Sequence, residues 1–506
     1  MRIDRRQFVS ESAFLAACAA LAPATGRLSA EEKEEANKKG SANEKLRVAV
    51  VGVRGQGKGH VVGYAGKHNC VVATVCDVDS AVVESKAFGE IMKKVEKVQG
   101  QAPKYEKDIR KVVADKNIDV ISIATPNHWH ALAAIWAMQN GKHVYVEKPV
   151  SHNVMEGRRI VEASEKYKKI CQTGTQSRSS KGMREAIAFL HSGKLGKVTG
   201  ARGLCYKLRP SIGKVSGPQE PPKTMDYNLW CGPAPYEKPR RKTSNGTVHY
   251  DWHWIWEYGN GDLGNQGIHE MDKARWGLNK NALPAKVFSV GGRFGYVDDG
   301  QTPNTQIIHF DYGDCELVFE VRALPSTSPY PGKNSPKTPK KGAKPVNFVG
   351  NVWYGSEGFL VCPSYSGGVA YSNDGEVIKE FKGSGDHFGN FIKAVRSGKR
   401  SDLNADILEG HLSSALCHLG NISYRLGSPA DFTKNPGFKS KLATDAAHDA
   451  VAHLRANEVE VDDLKYTLGK KLTFDPKTET FGDDKAANAL LTRKQYRKGF
   501  EVPSKL

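Results

Sequence analysis

The stretch Leu46-Arg-Val-Ala-Val-Val51 runs directly into Gly52-Val-Arg-Gly-Gln-Gly57-Lys-Gly-His60. A short apolar run ending in clustered glycines reads as a strand that turns sharply into a helix. As a dinucleotide fingerprint, it puts Gly52 at the tight turn and Gly57 where helix and strand must pack closely. Arg54 occupies the place of the second glycine, with Gly55 beside it, so its side chain must point away from the phosphates or lie over them. The amides between, including that of Gln56, and the helix start are then free to meet a pyrophosphate. The next apolar run, Val71–Asp77, ends on a carboxylate twenty residues beyond Gly57. At that spacing Asp77 accepts hydrogen bonds from the adenosine ribose and repels a 2′-phosphate, which favours NAD over NADP.

Around this stretch, short apolar runs alternate with amphipathic ones. Val120–Ala124 and Val144–Val146 read as further strands, Ser80–Gln99 and His130–Asn140 as helices. That alternation predicts βαβ units and a parallel sheet over residues 45–170. After about residue 195 the pattern becomes strands separated by long loops: Val198–Tyr206, Ala285–Phe294, Gln306–Tyr312, Glu316–Arg322 and Gly358–Tyr371. These predict an antiparallel sheet in a second domain, residues 171–430, closed by helices over His387–Ser397 and Asp406–Arg425. Residues 431–506 read as a C-terminal arm.

The chain has 506 residues and a formal charge of +19. The N-terminus stands apart from the fold. Arg5 and Arg6, followed by Gln7, Phe8 and Val9, precede an apolar run from Ala13 to Ala22. A twin-arginine pair before a core too short to span a bilayer is an export signal, expected to be cleaved after Ala24 or Ala30. Leu15-Ala16-Ala17-Cys18 also matches a lipobox, although Glu11 interrupts the apolar run before it. Residues 31–44 are polar and aperiodic, as a tether would be. The expected location is therefore periplasmic or otherwise extracytoplasmic, with lipid anchoring at Cys18 as the alternative. No run is long enough for a transmembrane helix.

Without residues 1–30, which carry four basic and two acidic side chains, the charge is +17. The charge is scattered, apart from residues 31–45 and the loop Lys333–Lys344. Neither interleaves the aromatics that base stacking needs, so no nucleic-acid partner is expected. The nine cysteines form no CxxC pairs, which points to structural thiols and against a zinc site or a disulfide framework.

Further along stand Ile123-Ala-Thr-Pro-Asn127-His-Trp-His130 and Val146-Glu147-Lys148-Pro149. In order with the glycine loop, and with Gly261–Asp272 beyond, these motifs resemble the Gfo/Idh/MocA oxidoreductases, whose members include glucose–fructose oxidoreductase and inositol dehydrogenase. The resemblance implies an α/β chain with an N-terminal Rossmann domain. An α+β domain with a large open, mainly antiparallel sheet follows and carries a carbohydrate pocket. It also implies a homo-oligomer, because that open sheet commonly pairs with a partner. Thr125, Asn127, His130, Glu147 and Gln176 then line the cofactor, and Lys148 lies beside the reacting carbon. An ammonium there stabilises a developing alkoxide and relays a proton.

The second half of such a site is Tyr258-Gly-Asn-Gly-Asp262-Leu-Gly-Asn265-Gln-Gly-Ile-His269-Glu-Met-Asp272. His269 matches the family histidine, but Asn265 stands where the family has an aspartate. An amide orients a hydroxyl yet cannot take its proton, so the acid/base role falls to His269 or Lys148, with Asp262 the nearest replacement carboxylate. The run His249-Tyr-Asp-Trp-His253-Trp-Ile-Trp256 concentrates indoles suited to pyranose faces. Trp254, Trp256, Asp262 and Asp272 are thus expected at the substrate along with Lys148 and His269, and no metal is expected. The implied activity is an exported NAD-dependent oxidoreductase of a sugar or glycoside with tightly held cofactor. An NAD-dependent glycosidase and a non-catalytic sugar-binding protein are the alternatives.

Overall fold

The computed structural model describes residues 45–239, 248–326, 347–432 and 436–506. The expected signal, tether, Cys18 and the Lys333–Lys344 loop lie outside the described residues. Two sheets organise the chain. The first is six-stranded and wholly parallel: β1 (Leu46–Val51), β2 (Cys70–Cys76), β3 (Lys104–Glu106), β4 (Val120–Ile123), β5 (His143–Val146) and β6 (Cys171–Thr173), in the order β3-β2-β1-β4-β5-β6. Val48–Val51 and Val120–Ile123 are buried on both faces, as helices on both sides of a parallel sheet require. Strand order reverses between β1 and β4, so the crevice beyond their carboxyl ends is the ligand-binding switch point. β6 falls just past the expected domain boundary at residue 170.

The predicted helix Ser80–Gln99 is two helices, Ser80–Glu84 and Lys86–Gln99, divided at Ser85, whose extended backbone lets its hydroxyl accept from the Phe88 amide. A capping side chain so placed starts a new helix, which a periodicity count alone does not register.

The second sheet has eleven strands and is mixed, mostly antiparallel. Its path is β14 (Val377–Lys382), β13 (Gly367–Ser372), β12 (Gly358–Cys362), β11 (Phe348–Tyr354), β7 (Gly200–Tyr206), β10 (Glu316–Arg322), β9 (Thr305–Asp311), β8 (Lys286–Gly292), β16 (Lys465–Leu468) and β15 (Ser428–Asp431). β17 (Leu472–Thr473) also pairs with β8, and only β7–β10 is parallel. The expected single run Gly358–Tyr371 is the pair β12 and β13. The expected C-terminal arm is not an appendage, because β16 and β17 pair with β8 and so extend the same sheet.

Strand alternation assigns the two faces. Leu317, Phe319 and Val321 of β10 join the core under the helices Gly267–Gly277 and Ile407–Arg425. Val318 points the other way, into a cluster with Ala443, Ala446, Ala447 and Ala450. These alanines belong to the helix Lys441–Ala456, whose small side chains let it lie close on β9 and β10. The expected open face is therefore partly closed by the chain's own helix. Beneath it, the fully buried Glu320 carboxylate pairs with Arg202 and Arg322 and accepts from the Tyr206 hydroxyl at 2.6 Å.

All eight described cysteines are buried free thiols. Several histidines are buried as well, and this sets an acid limit on stability. Burial lowers His128 and His418 to about 3 and His387 to about 4, against carbonyl or hydroxyl partners that only partly offset it. The unfolded chain protonates these imidazoles below pH 6.5 while the folded chain keeps them neutral. Stability therefore falls as pH drops through 6.5, by about 1.4 kcal/mol per imidazole per pH unit. Thermal unfolding at pH 7.5 and 5.5 should show a melting temperature several degrees lower at 5.5; an unchanged or higher value contradicts this account.

Candidate active site

The glycine loop folds as its spacing demands. Gly52 has φ +82°, and a Cβ there would lie 2.7 Å from the Ala124 carbonyl oxygen. A Cβ on Gly57 would lie 1.9 Å from the Gly52 carbonyl oxygen, so the helix Gly57–Tyr64 approaches β1 only because position 57 is bare. Gly55 has open space around it, and Arg54 is exposed at the cleft edge. No side chain caps the helix start; the Lys58 amide donates to the Gly55 carbonyl at 3.1 Å and the Gly59 amide to the Gln56 carbonyl at 2.8 Å, so an anion would be met by the loop amides before them.

Asp77 closes the loop from the other side. Its Oδ2 accepts from the Val53 amide at 2.9 Å and its Oδ1 from the Asp79 amide at 3.1 Å. Burial raises its pKa against these two bonds. The carboxylate is thus aimed by backbone amides on both flanks, at the end of the crevice where an adenosine ribose would sit.

One cavity of about 400 Å³ joins these residues to the predicted catalytic ones. Its lining contains Gly52, Arg54, Gly55, Gln56, Asp77, Thr125, Asn127, His130, Glu147, Lys148, Gln176, Asn265 and His269. Gly57 sits immediately behind it. Thr125 Oγ1, Asn127 Oδ1 and His269 Nδ1 are buried polar atoms without a protein partner, as expected of groups that meet a polar ligand. The residues present fit a nicotinamide dinucleotide. Bound there, its nicotinamide would supply a two-electron acceptor.

At the reaction end, Lys148 Nζ donates to the Asn265 carbonyl oxygen at 3.0 Å. Burial lowers the Lys148 pKa, and the adjacent Glu147 opposes the shift. Burial, reinforced by Lys148, holds His269 well below its ordinary value, so it is a neutral acceptor at pH 7. Lys148 can therefore steady an alkoxide while His269 accepts a proton. The tie to Asn265 runs through its backbone, so amide replacing carboxylate at 265 does not loosen Lys148.

Behind them lies a network no single motif displayed. Glu147 Oε1 contacts His60 Nε2 at 3.2 Å and accepts from Gln176 Nε2 at 3.1 Å, and Oε2 accepts from the Lys148 amide at 3.2 Å. Burial would raise the Glu147 carboxyl, but His60, Lys148 and His269 outweigh it and hold it at about 2. The glycine-loop helix is thereby wired to the lysine. His60 falls one turn into that helix, and its position was the only signal available.

Other expected residues stand elsewhere. Asp262 is bound by the Arg209 guanidinium at 2.8–3.0 Å and lies outside the cavity lining, so it is an anchor rather than a replacement base. Arg209 in turn donates to the Tyr250 hydroxyl at 3.1 Å. Asp272 pairs with buried Arg178 at 2.8 Å and accepts from Ser413, which locks its helix from behind. His130 uses both ring nitrogens on backbone, at Pro149 O (2.6 Å) and Thr125 O (2.8 Å), tying two cavity loops together. Trp254 is buried off the cavity, and Trp256 lies under Arg425. Their neighbours Tyr250, Trp252 and His253 line it instead, together with Met225, Leu229, Trp230, Val248 and His249. The segment was legible but the phase was not, because Asp251–Trp254 forms a 3₁₀ turn rather than a strand. Among the described residues, no group of three or more His, Cys, Asp or Glu could hold a metal ion, and no helix is long and apolar enough to cross a membrane.

Two family models match this chain. Residues 46–175 match the NAD-binding Rossmann fold of the oxidoreductase family, and residues 189–330 match its C-terminal alpha/beta domain. The chain belongs to the Gfo/Idh/MocA oxidoreductase family. Among curated members, it is 31% identical over 173 residues to a glycosyl hydrolase family 109 protein of Saccharopolyspora erythraea, covering 33% of this chain and 37% of that one. It is 31% identical over 128 residues to the alpha-N-acetylgalactosaminidase of Shewanella oneidensis, covering 25% and 28%. The matches thus span between 28% and 37% of these relatives' length. Solved members share the fold: the WlbA dehydrogenase of Bordetella pertussis, in complex with NADH and UDP-GlcNAcA, has TM-score 0.53 at 18% identity, covering 76% of this chain and 97% of that one. Levoglucosan dehydrogenase, in complex with NADH and L-sorbose, gives 0.52 at 16%, covering 74% and 96%.

Proposed function

We propose that this chain is an exported enzyme that oxidises a hydroxyl of a sugar or glycoside, using an NAD molecule that stays in the cleft. The observation that carries this reading is the single cavity that places Lys148, Asn265 and His269 in line with the glycine loop and Asp77. Asp77 favours NAD over NADP by repelling a 2′-phosphate. His269 takes the hydroxyl proton, Lys148 holds the oxygen, and Tyr250 and Trp252 offer flat faces to a sugar ring. Export after folding would suit a cofactor that does not leave, since a periplasm offers no pool from which to replace it.

A second reading is favoured by the curated relatives, which are named as glycosidases. In it, transient oxidation acidifies a neighbouring C–H, elimination expels the aglycone, and the cofactor returns to its starting state. Both readings use the same residues. Acid precipitation of the purified protein should release NAD in stoichiometric amount. A panel of nitrophenyl glycosides then divides them: absorbance gained at 340 nm marks the dehydrogenase, and aglycone release without it marks the glycosidase. Protein that carries no NAD and binds none when it is added refutes both.

A further inference from the structure

One wall of the cleft is built from the five-residue helix Tyr227–Cys231, which contributes Leu229 and Trp230 to the lining. So short a helix cannot hold its own position. From the cofactor-domain side, Trp129 Nε1 donates to the Leu229 carbonyl at 2.9 Å, and His128 Nε2 contacts the Trp230 carbonyl at 2.8 Å. The same helix is also held by residues near the end of the sequence. Arg497 Nη1 donates to the Asn228 carbonyl at 2.9 Å and to the Gly232 carbonyl at 3.1 Å, and Nη2 reaches Asn228 Oδ1. Gly232 ends the helix with φ +47° and lies so close to the Trp129 indole that a Cβ there would collide with it.

The grip is itself anchored. Phe500 is buried edge-on to Trp129, with ring centres 5.7 Å apart, and Val502 joins the same core cluster as Leu229. The Arg497 guanidinium lies 5.0 Å over the Phe500 ring. Upstream, the Tyr496 hydroxyl donates to Glu156 at 3.0 Å, and Arg493 donates to the Glu257 carbonyl at 2.9 Å. Residues 493–502 themselves lie outside the matched family domains, which end at residue 330. None of residues 493–502 lines the cavity, so their effect on it passes through Leu229, Trp230 and Trp129, which do.

We infer that residues 493–502 form a cofactor-retention strap, which pins Tyr227–Cys231 across the dinucleotide cleft and slows release of NAD. The inference rests on the NAD reading above and adds which part of the chain keeps the cofactor in. Arg497 is a positioning residue: its guanidinium holds the Asn228 carbonyl in the first turn and the Gly232 carbonyl at the end of the short helix, a geometry that lysine or alanine cannot reproduce.

The test is the rate at which NADH leaves the full chain, followed by its fluorescence after dilution into excess NAD. Arg497→Ala should speed release by about tenfold, the usual scale for losing charge-assisted bonds at a closing contact, and Phe500→Leu, which removes the ring under Arg497, should speed it too. In Arg497→Ala the reaction rate at saturating NAD and the melting temperature of the cofactor-free protein should stay close to wild type. A strap that merely stabilised the fold would move that melting temperature and leave release unchanged. Lys498→Ala, at an exposed neighbour of Arg497, should alter neither. If wild type holds NAD and both variants release it at the wild-type rate, the strap is overturned while the functional reading stands. If wild type binds no NAD, both fall together.

Discussion

Lys148→Met should bind NAD as the wild-type protein does and turn over on the order of a thousandfold more slowly. Methionine keeps the length and much of the volume of lysine, so the cavity retains its shape. What it loses is the ammonium, and with it the donor that reaches the Asn265 carbonyl at 3.0 Å. The dinucleotide-binding elements, Gly52 to Gly57 and Asp77, lie at the other end of the cavity and keep their bonds. Removing the cation also frees His269 from a charge that helps keep it neutral, so its pKa should rise. Residual activity should then fall on the acid side at a higher pH than in wild type. NAD titration by fluorescence, with turnover measured across pH, checks both halves. Full activity in Lys148→Met would remove the lysine from the chemistry and leave His269 to act alone.

Gly57→Ala should abolish NAD binding, and Gly55→Ala should not disturb the fold. The two glycines are two residues apart, yet they meet different surroundings. A Cβ at 57 would stand 1.9 Å from a backbone oxygen, that of Gly52, which the turn cannot yield. The helix must then move off β1, which costs about 1–3 kcal/mol in strain and displaces the amides that face the pyrophosphate. At 55 a Cβ meets nothing within 4 Å, and the residue is not left-handed. Any loss of NAD affinity in Gly55→Ala, with an unchanged melting temperature, therefore reports a clash with the cofactor itself. Calorimetric NAD titration and thermal melts of both variants provide the check. Equal binding by Gly57→Ala would mean that the loop is a structural turn and not a phosphate cradle.

Much of the cofactor half was legible in the residues because its demands are local. A strand, a glycine turn, a helix start and a carboxylate at the next strand end are fixed by short-range sterics and by register along the chain. The proposed catalytic trio was legible only in part. Lys148, Asn265 and His269 do meet, but the substitution of amide for carboxylate at 265 gains its meaning from a backbone carbonyl, which no side-chain pattern encodes. Asp262 looked available because carboxylates read alike in a sequence, whereas its partner, Arg209, lies on a distant loop. Trp254 and Trp256 were misplaced because helical, 3₁₀ and extended phases differ by fractions of a turn over so few residues.

From the residues alone follow the parallel sheet, the fingerprint loop with Asp77, and the family motifs that assign Lys148 and His269. These depend on contacts between residues close in sequence or on sterics that only glycine satisfies. The tertiary structure alone decides that the final residues extend the great sheet, that the helix Lys441–Ala456 covers part of its outer face, and that Arg497 reaches back to grip the cleft wall. Those contacts join segments hundreds of residues apart, and the burial that drives them is non-directional: it rewards apolar surface wherever it comes from, so only the assembled chain shows which surfaces meet.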